Sequence, residues 1–180
     1  MNWQIKDLKS KAARGIYSGD VANSSVRKFL REIGDNYSEK IDETYLQEAL
    51  EFFKYKCPYT GKDLRKLSKD QIVIDHIVPI NKDYCGLNVR GNLVLVEKTA
   101  NNKKGGKSIE EYFSKYDVKD SKQKLTRIKQ FQKKYNYNPE KIKKIIQPEI
   151  IKSYNDITKF VNEKGKDLVI KYADKLENLK

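Results

Sequence analysis

The chain has 180 residues, enough for one compact domain or a small domain with helical additions. Apolar residues make up 38% and charged residues 35%, too apolar for a disordered chain and too charged for a membrane protein. Lys and Arg total 38 against 25 Asp and Glu, and the resulting net charge of +13 favours a polyanionic partner such as nucleic acid.

The elements follow in chain order. Met1-Asn2-Trp3-Gln4-Ile5-Lys6-Asp7 lacks the apolar stretch of a secretory signal. Val21, Val26, Phe29, Leu30 and Ile33 predict a helix over Asp20–Ile33, with Gly34 at its C′ position. Asp42 is an expected N-cap for a helix to Lys54, striped by Tyr45, Leu46, Leu50 and Phe53. Cys57-Pro58-Tyr59-Thr60-Gly61-Lys62 is turn chemistry. Gln71–Asp75 and Asn92–Glu97 read as two short strands joined by a loop over Asn81–Gly91. A helix is expected to begin near Ala100 and to end at Gly105-Gly106. Ser108 and Glu111 form a capping box for a helix to Tyr116. Ser121–Tyr135 is a basic amphipathic helix carrying Lys122, Arg127, Lys129 and Lys133, broken by Asn136–Pro139. Pro148, Asn155 and Gly165 are expected to punctuate later helical stretches.

The charge is uneven along this layout. Residues 1–50 are balanced, whereas residues 101–150 carry 14 basic and 6 acidic side chains. That third quarter is the expected polyanion face. Tyr116, Tyr135 and Tyr137 lie among its lysines, where core rims are the commoner reading and base stacking the rarer one. No apolar window approaches the roughly 18 residues of a spanning helix. Two cysteines cannot build a disulfide scaffold. A soluble, cytoplasmic protein with no membrane partner is expected.

The centre of the chain holds the only histidine, His76, directly after Asp75 at the end of the first strand. Asn92 opens the second strand, and Asn101 and Asn102 stand near the following helix with Lys103 and Lys104. Element ends of this kind can converge on one cleft. Phosphodiester hydrolysis needs a base to take a proton from water, which a neutral imidazole does near pH 7. It also needs positive charge against the phosphate and the leaving oxygen, which a hard cation on oxygen ligands supplies.

These residues resemble a known family. Ile74-Asp75-His76-Ile77-Val78-Pro79, then Gly91-Asn92-Leu93-Val94-Leu95, then Ala100-Asn101-Asn102-Lys103-Lys104-Gly105 is similar to the HNH (ββα-metal) endonucleases. The upstream Cys57–Lys62 segment resembles the one that precedes the motif in HNH domains of RNA-guided CRISPR nucleases. The resemblance implies His76 as general base and Asp75 and Asn101 as ligands of one Mg²⁺ or Mn²⁺, with Asn102 the register alternative to Asn101. It implies Asn92 as the side chain that ties down the loop and orients the histidine, and Lys104 as the trailing lysine of the motif. Lys103, Lys104, Lys107, Lys122, Arg127, Lys129 and Lys133 are the expected nucleic-acid contacts. Many family members carry a zinc held by two Cys-x-x-Cys pairs. Here Thr60 stands where the second cysteine of the first pair falls, and Lys98-Thr99-Ala100 occupy the place of the other pair. No structural zinc is expected.

The expected fold class is α+β, a mainly helical chain around a central ββα-metal motif. Its parts are an N-terminal helical region over 1–54, a nuclease core over 55–108 and a basic helical region over 109–180. The expected function is metal-dependent cleavage of double-stranded DNA to 5′-phosphate and 3′-hydroxyl ends by a type II restriction endonuclease, with a homodimer as one route to cutting both strands. A nicking, homing or non-specific HNH nuclease, and a non-catalytic basic binding module, are the alternatives.

Overall fold

The computed structural model describes residues 17–165 together with 167, 168 and 171, so the segment Met1–Asp7 lies outside the described residues. Among the described residues, six α-helices surround one two-stranded antiparallel sheet, a mainly helical α+β fold. The helices are α1 (Ser18–Tyr37), α2 (Glu43–Phe52), α3 (Lys98–Lys104), α4 (Ile109–Lys115), α5 (Ser121–Lys134) and α6 (Pro139–Phe160). The strands are β1 (Ile72–His76) and β2 (Leu93–Glu97), paired from Ile72 opposite Glu97 to His76 opposite Leu93.

Local chemistry sets several of these boundaries. Asp42 caps α2, its Oδ1 accepting from the Tyr45 amide at 2.8 Å. Ser108 and Glu111 close a reciprocal capping box at α4, with bonds of 3.1 and 2.9 Å. Gly105, at φ +53°, ends α3. That helix starts at Lys98, directly after β2 and two residues ahead of the expected start at Ala100.

Three expected breaks do not occur where the sequence suggests them. Gly34 is not the C′ residue of α1, which runs on to Tyr37. Gly34 is buried instead, and a Cβ there would stand 2.5 Å from the Asn88 backbone nitrogen. It is a point of close approach between helix and loop. Pro148 and Asn155 likewise fall inside an unbroken α6. Both are exposed, so water can satisfy the carbonyl that Pro148 leaves without a donor. The opposite face carries Ile142, Ile146, Ile150 and Tyr154, and it packs into a core shared with α1. That burial outweighs the local breaking tendency.

The interior forms two clusters. One gathers Tyr45, Tyr59, Leu64, Val94, Val96, Ile128 and Phe131 around the hairpin. The other joins Val26 and Leu30 of α1 to Cys85, Leu87 and Val89 of the long loop, with Tyr137 and Ile150. The loop between the strands is thus a packed element. Tyr45 of α2 holds its far end, donating to the Leu93 carbonyl at 2.6 Å and accepting from the Gly91 amide at 2.9 Å. Arg90 ties the same end to the α1–α2 connection through Glu39 at 2.7 Å. Among the described residues, no helix is long and apolar enough to cross a membrane.

Two glycines of α1 give opposite expectations. At Gly19 a Cβ meets only the Tyr154 hydroxyl, at an ordinary 3.4 Å. Gly19→Ala should be neutral or stabilising by up to about 1 kcal/mol through helix propensity. Gly34→Ala should cost about 1–3 kcal/mol because the methyl meets backbone. Denaturant midpoints of the two variants test the close approach, and equal midpoints would refute it.

Candidate active site

The pleat sends Asp75 and His76 to opposite faces of the hairpin. Asp75 shares its face with Val73, Val94 and Val96, of which the two β2 valines are fully buried. His76 ends the strand on the face of Ile74, which is 47% exposed. Carboxylate and imidazole therefore flank the end of β1, and each has its own partners.

Asp75 is held from two sides. Its Oδ2 accepts from the Tyr59 hydroxyl at 2.7 Å and lies 3.1 Å from the Lys104 ammonium. Burial and the neighbouring carboxylate push the Tyr59 hydroxyl well above its ordinary pKa, so it stays a donor. Oδ1 has no hydrogen bond among the described residues and is free to accept a ligand.

Lys104 corrects an expectation. The sequence assigns it to phosphate, yet its side chain is fully buried. Its Nζ donates to the His76 carbonyl at 2.8 Å as well as pairing with Asp75. Burial lowers its pKa, and the Asp75 charge opposes that shift. A side chain shut away from water in this manner cannot reach a substrate backbone. It joins α3 to the end of β1 instead.

Asn101 lies one turn before Lys104 and so on the same side of α3. Ala100 and Lys104 are buried, Asn101 is half-buried, and Asn102 and Lys103 are exposed. The Asn101 carboxamide makes no hydrogen bond among the described residues. The hairpin-facing side of α3 thus presents Asn101 rather than Asn102.

His76 is half-buried. Its Nε2 meets the Asn88 side-chain oxygen at 3.2 Å, and Nδ1 has no partner among the described residues. Burial is the main cause that holds the imidazole below its ordinary pKa. The Arg31 and Lys104 charges act in the same sense, while the Asn88 contact and Asp75 oppose it. These surroundings favour the uncharged ring.

Asn92 is fully buried and saturated. Its Oδ1 accepts from the Val78 amide at 2.8 Å, and its Nδ2 donates to the carbonyls of Val78 and Leu87 at 3.1 and 2.8 Å. The Asn92 carbonyl also accepts from the Ile77 amide at 2.8 Å. The segment after His76 is thereby clamped to the loop that carries Asn88.

The expected basic contacts do not all line one cavity. Lys129 and Lys133 line a cavity of about 740 Å³, together with Lys143 and with Ile77, Val78 and Pro79 just beyond His76. Lys122 and Arg127 are not among its lining residues. Arg127 lies over the Phe52 ring at 3.8 Å and donates to the Phe52 carbonyl at 2.6 Å, which fastens α5 to the end of α2. Lys107 folds back on the carbonyls of Lys103 and Lys104, at 3.3 and 3.4 Å. Lys103 is exposed and lies 5.8 Å from the Tyr116 ring centre. Tyr137 is buried and Tyr135 bonds Glu48 at 2.7 Å, so these two are core and rim.

Sequence reading missed Tyr59, Asn88, Asp35 and Arg31. Tyr59 lies in the Cys57–Lys62 segment already singled out, but only the folded contacts give it and the other three a role at the site. Cys57 and Cys85 are buried in different clusters. Among the described residues, no group of three or more His, Cys, Asp or Glu side chains is placed to hold a metal ion. An oxygen pair from Asp75 and Asn101 is a different donor set, suited to a hard cation that keeps most of its waters.

The hairpin and the short helix that follows it thus carry an imidazole, a carboxylate and a carboxamide, the groups on which the resemblance to the HNH endonucleases rests. Residues 57–108 match the HNH endonuclease family model. The match supports an HNH-family assignment for this segment, and with it nuclease activity in general. No curated protein matches the chain significantly.

The Asn92 clamp gives a direct test. In Asn92→Asp a carboxylate oxygen would face the Val78 and Leu87 carbonyls with no proton between them. The expected loss is at least about 2 kcal/mol of stability. Hydrogen exchange at the Val78 amide should speed up with it. Unchanged protection there would show that Asn92 does not hold the segment.

Proposed function

We propose that the protein is a divalent-metal-dependent DNA endonuclease acting as a type II restriction enzyme, with His76 as its general base. The observation that carries this reading is the state of His76. Burial favours the uncharged imidazole, its Nε2 meets the Asn88 side-chain oxygen, and neither its Nδ1 nor Asp75 Oδ1 has a hydrogen bond among the described residues.

His76 Nδ1 accepts a proton from a water molecule, and the resulting hydroxide attacks phosphorus. The bond from phosphorus to the 3′ oxygen breaks, and the leaving oxygen takes a proton from solvent, which gives a 5′-phosphate and a 3′-hydroxyl. Asp75 Oδ1 and the Asn101 carboxamide are the oxygens that would hold Mg²⁺ or Mn²⁺. The ion would supply positive charge for the phosphate and the leaving oxygen. Lys104 leaves one oxygen of Asp75 free and keeps the residue from turning. Lys129, Lys133 and Lys143 beside the segment that follows His76 hold flanking phosphates.

The helices outside residues 57–108 supply bulk for reading a sequence or for pairing two copies. That bulk supports the restriction reading. One centre of this kind cuts one strand, so a double-strand break needs a dimer or two successive events.

The test is a cleavage assay on supercoiled plasmid and unmethylated phage DNA with Mg²⁺, Mn²⁺ or EDTA. Wild type should give discrete bands with metal and none with EDTA. His76→Ala should lose at least about 100-fold in rate and still shift DNA in a gel. Asp75→Ala and Asn101→Ala should raise the metal concentration needed for half-maximal rate. Nicks or a smear would replace the restriction role with a nicking or non-specific one. A salt-sensitive gel shift with no cleavage in any metal would leave only a binding module.

A further inference from the structure

The contact on His76 continues beyond the segment that matches the nuclease family. Asn88 Oδ1 meets His76 Nε2 at 3.2 Å, and Asn88 Nδ2 donates to Asp35 Oδ1 at 2.7 Å. Asp35 belongs to α1, 53 positions from Asn88 along the chain. It follows Gly34, the residue whose missing side chain lets α1 touch the Asn88 backbone. Helix and loop thus meet backbone to backbone at Gly34 and side chain to side chain one residue later.

The chemistry of this chain of contacts is directional. A carboxylate only accepts, so Asp35 takes the amide nitrogen of Asn88 as its donor. The oxygen of Asn88 must then face His76, and a carboxamide oxygen also only accepts. The ring nitrogen it meets, Nε2, must carry the proton of the neutral imidazole. Nδ1 is left with its lone pair. A reversed Asn88 amide would present a donor to Nε2 and force the proton onto Nδ1, which would spoil it as a base.

We propose that Asp35 and Asn88 are positioning residues that select the Nε2–H tautomer of His76, so that a helix outside the nuclease motif sets the competence of the base. The inference rests on the reading of His76 as base for its consequence in rate, but the tautomer can be read without any cleavage. His76 is the only histidine in the chain, so its ring nitrogens need no assignment.

The decisive variant is Asp35→Lys. Lysine only donates, so it should turn the Asn88 oxygen toward itself and the amide nitrogen toward His76. Position 35 is exposed in the last turn of α1, where a cation favours the helix, and folding should survive. The second variant is Asp35→Lys combined with Asn88→Asp. There a carboxylate faces Nε2 whatever stands at position 35, and it should restore the tautomer.

Long-range proton–nitrogen spectra of the metal-free, nitrogen-15-labelled protein are recorded above the pH at which the imidazole charges. Melting curves and the kcat and KM of plasmid cleavage accompany them. Wild type should show Nε2–H. Asp35→Lys should show a substantial Nδ1–H population, a kcat reduced about tenfold, and a KM that does not rise, because the added positive charge favours DNA. The double variant should return both the tautomer and most of kcat. Nε2–H retained in Asp35→Lys would overturn the proposal, as would a loss that the double variant fails to restore. A shifted tautomer with undiminished kcat would uphold the selection and remove His76 from the role of base.

Discussion

An ammonium group shut away from water must find its charge and its hydrogen bonds inside the protein. Lys104 meets that demand at one place, between the carboxylate of Asp75 and the carbonyl of His76. The constraint works in both directions. Lys104 is the last residue of α3, so the helix must end where β1 ends. Asp75 must keep one oxygen turned toward the lysine and Tyr59, which leaves the other for a ligand. Removing either partner would strand a charge, at a cost of about 3–5 kcal/mol. The placement of α3 against the end of the hairpin depends on this pair.

Around it the loop between the strands behaves as a rigid part. Asn92 satisfies three backbone groups from one carboxamide, and Tyr45 and Arg90 anchor the far end. Leu87 and Val89 are buried against α1 and α6. This centre has helices on the outside and saturated polar groups within. That arrangement makes the flanks part of the site. Residues of α1 touch the loop that holds the imidazole, although α1 lies outside the family segment.

Much of the centre was legible in the residues themselves. Asp75 and His76 close β1 and Asn92 precedes β2, ends marked by a change of periodicity or a glycine, whereas Asn101 lies inside α3. The Ser108–Glu111 box and the Asp42 cap are local hydrogen-bonding devices, so three or four residues suffice to reveal them. Local rules failed where packing competes with them. Gly34 looked like a helix stop and is a contact point. Pro148 looked like a break and is carried through by the buried face of α6. Lys104 looked like a phosphate contact because composition cannot tell a buried lysine from an exposed one.

The sequence by itself determined the order of the elements, the basic character of the third quarter and the identity of the groups at the end of the hairpin, because these depend on neighbours along the chain. The tertiary structure alone decided what those groups do to one another. It buried Lys104 against Asp75, turned Asn101 rather than Asn102 toward the hairpin, and brought Asp35 and Asn88 to His76. Each is a contact between residues far apart in the chain, and such a contact exists only once the two cores have packed.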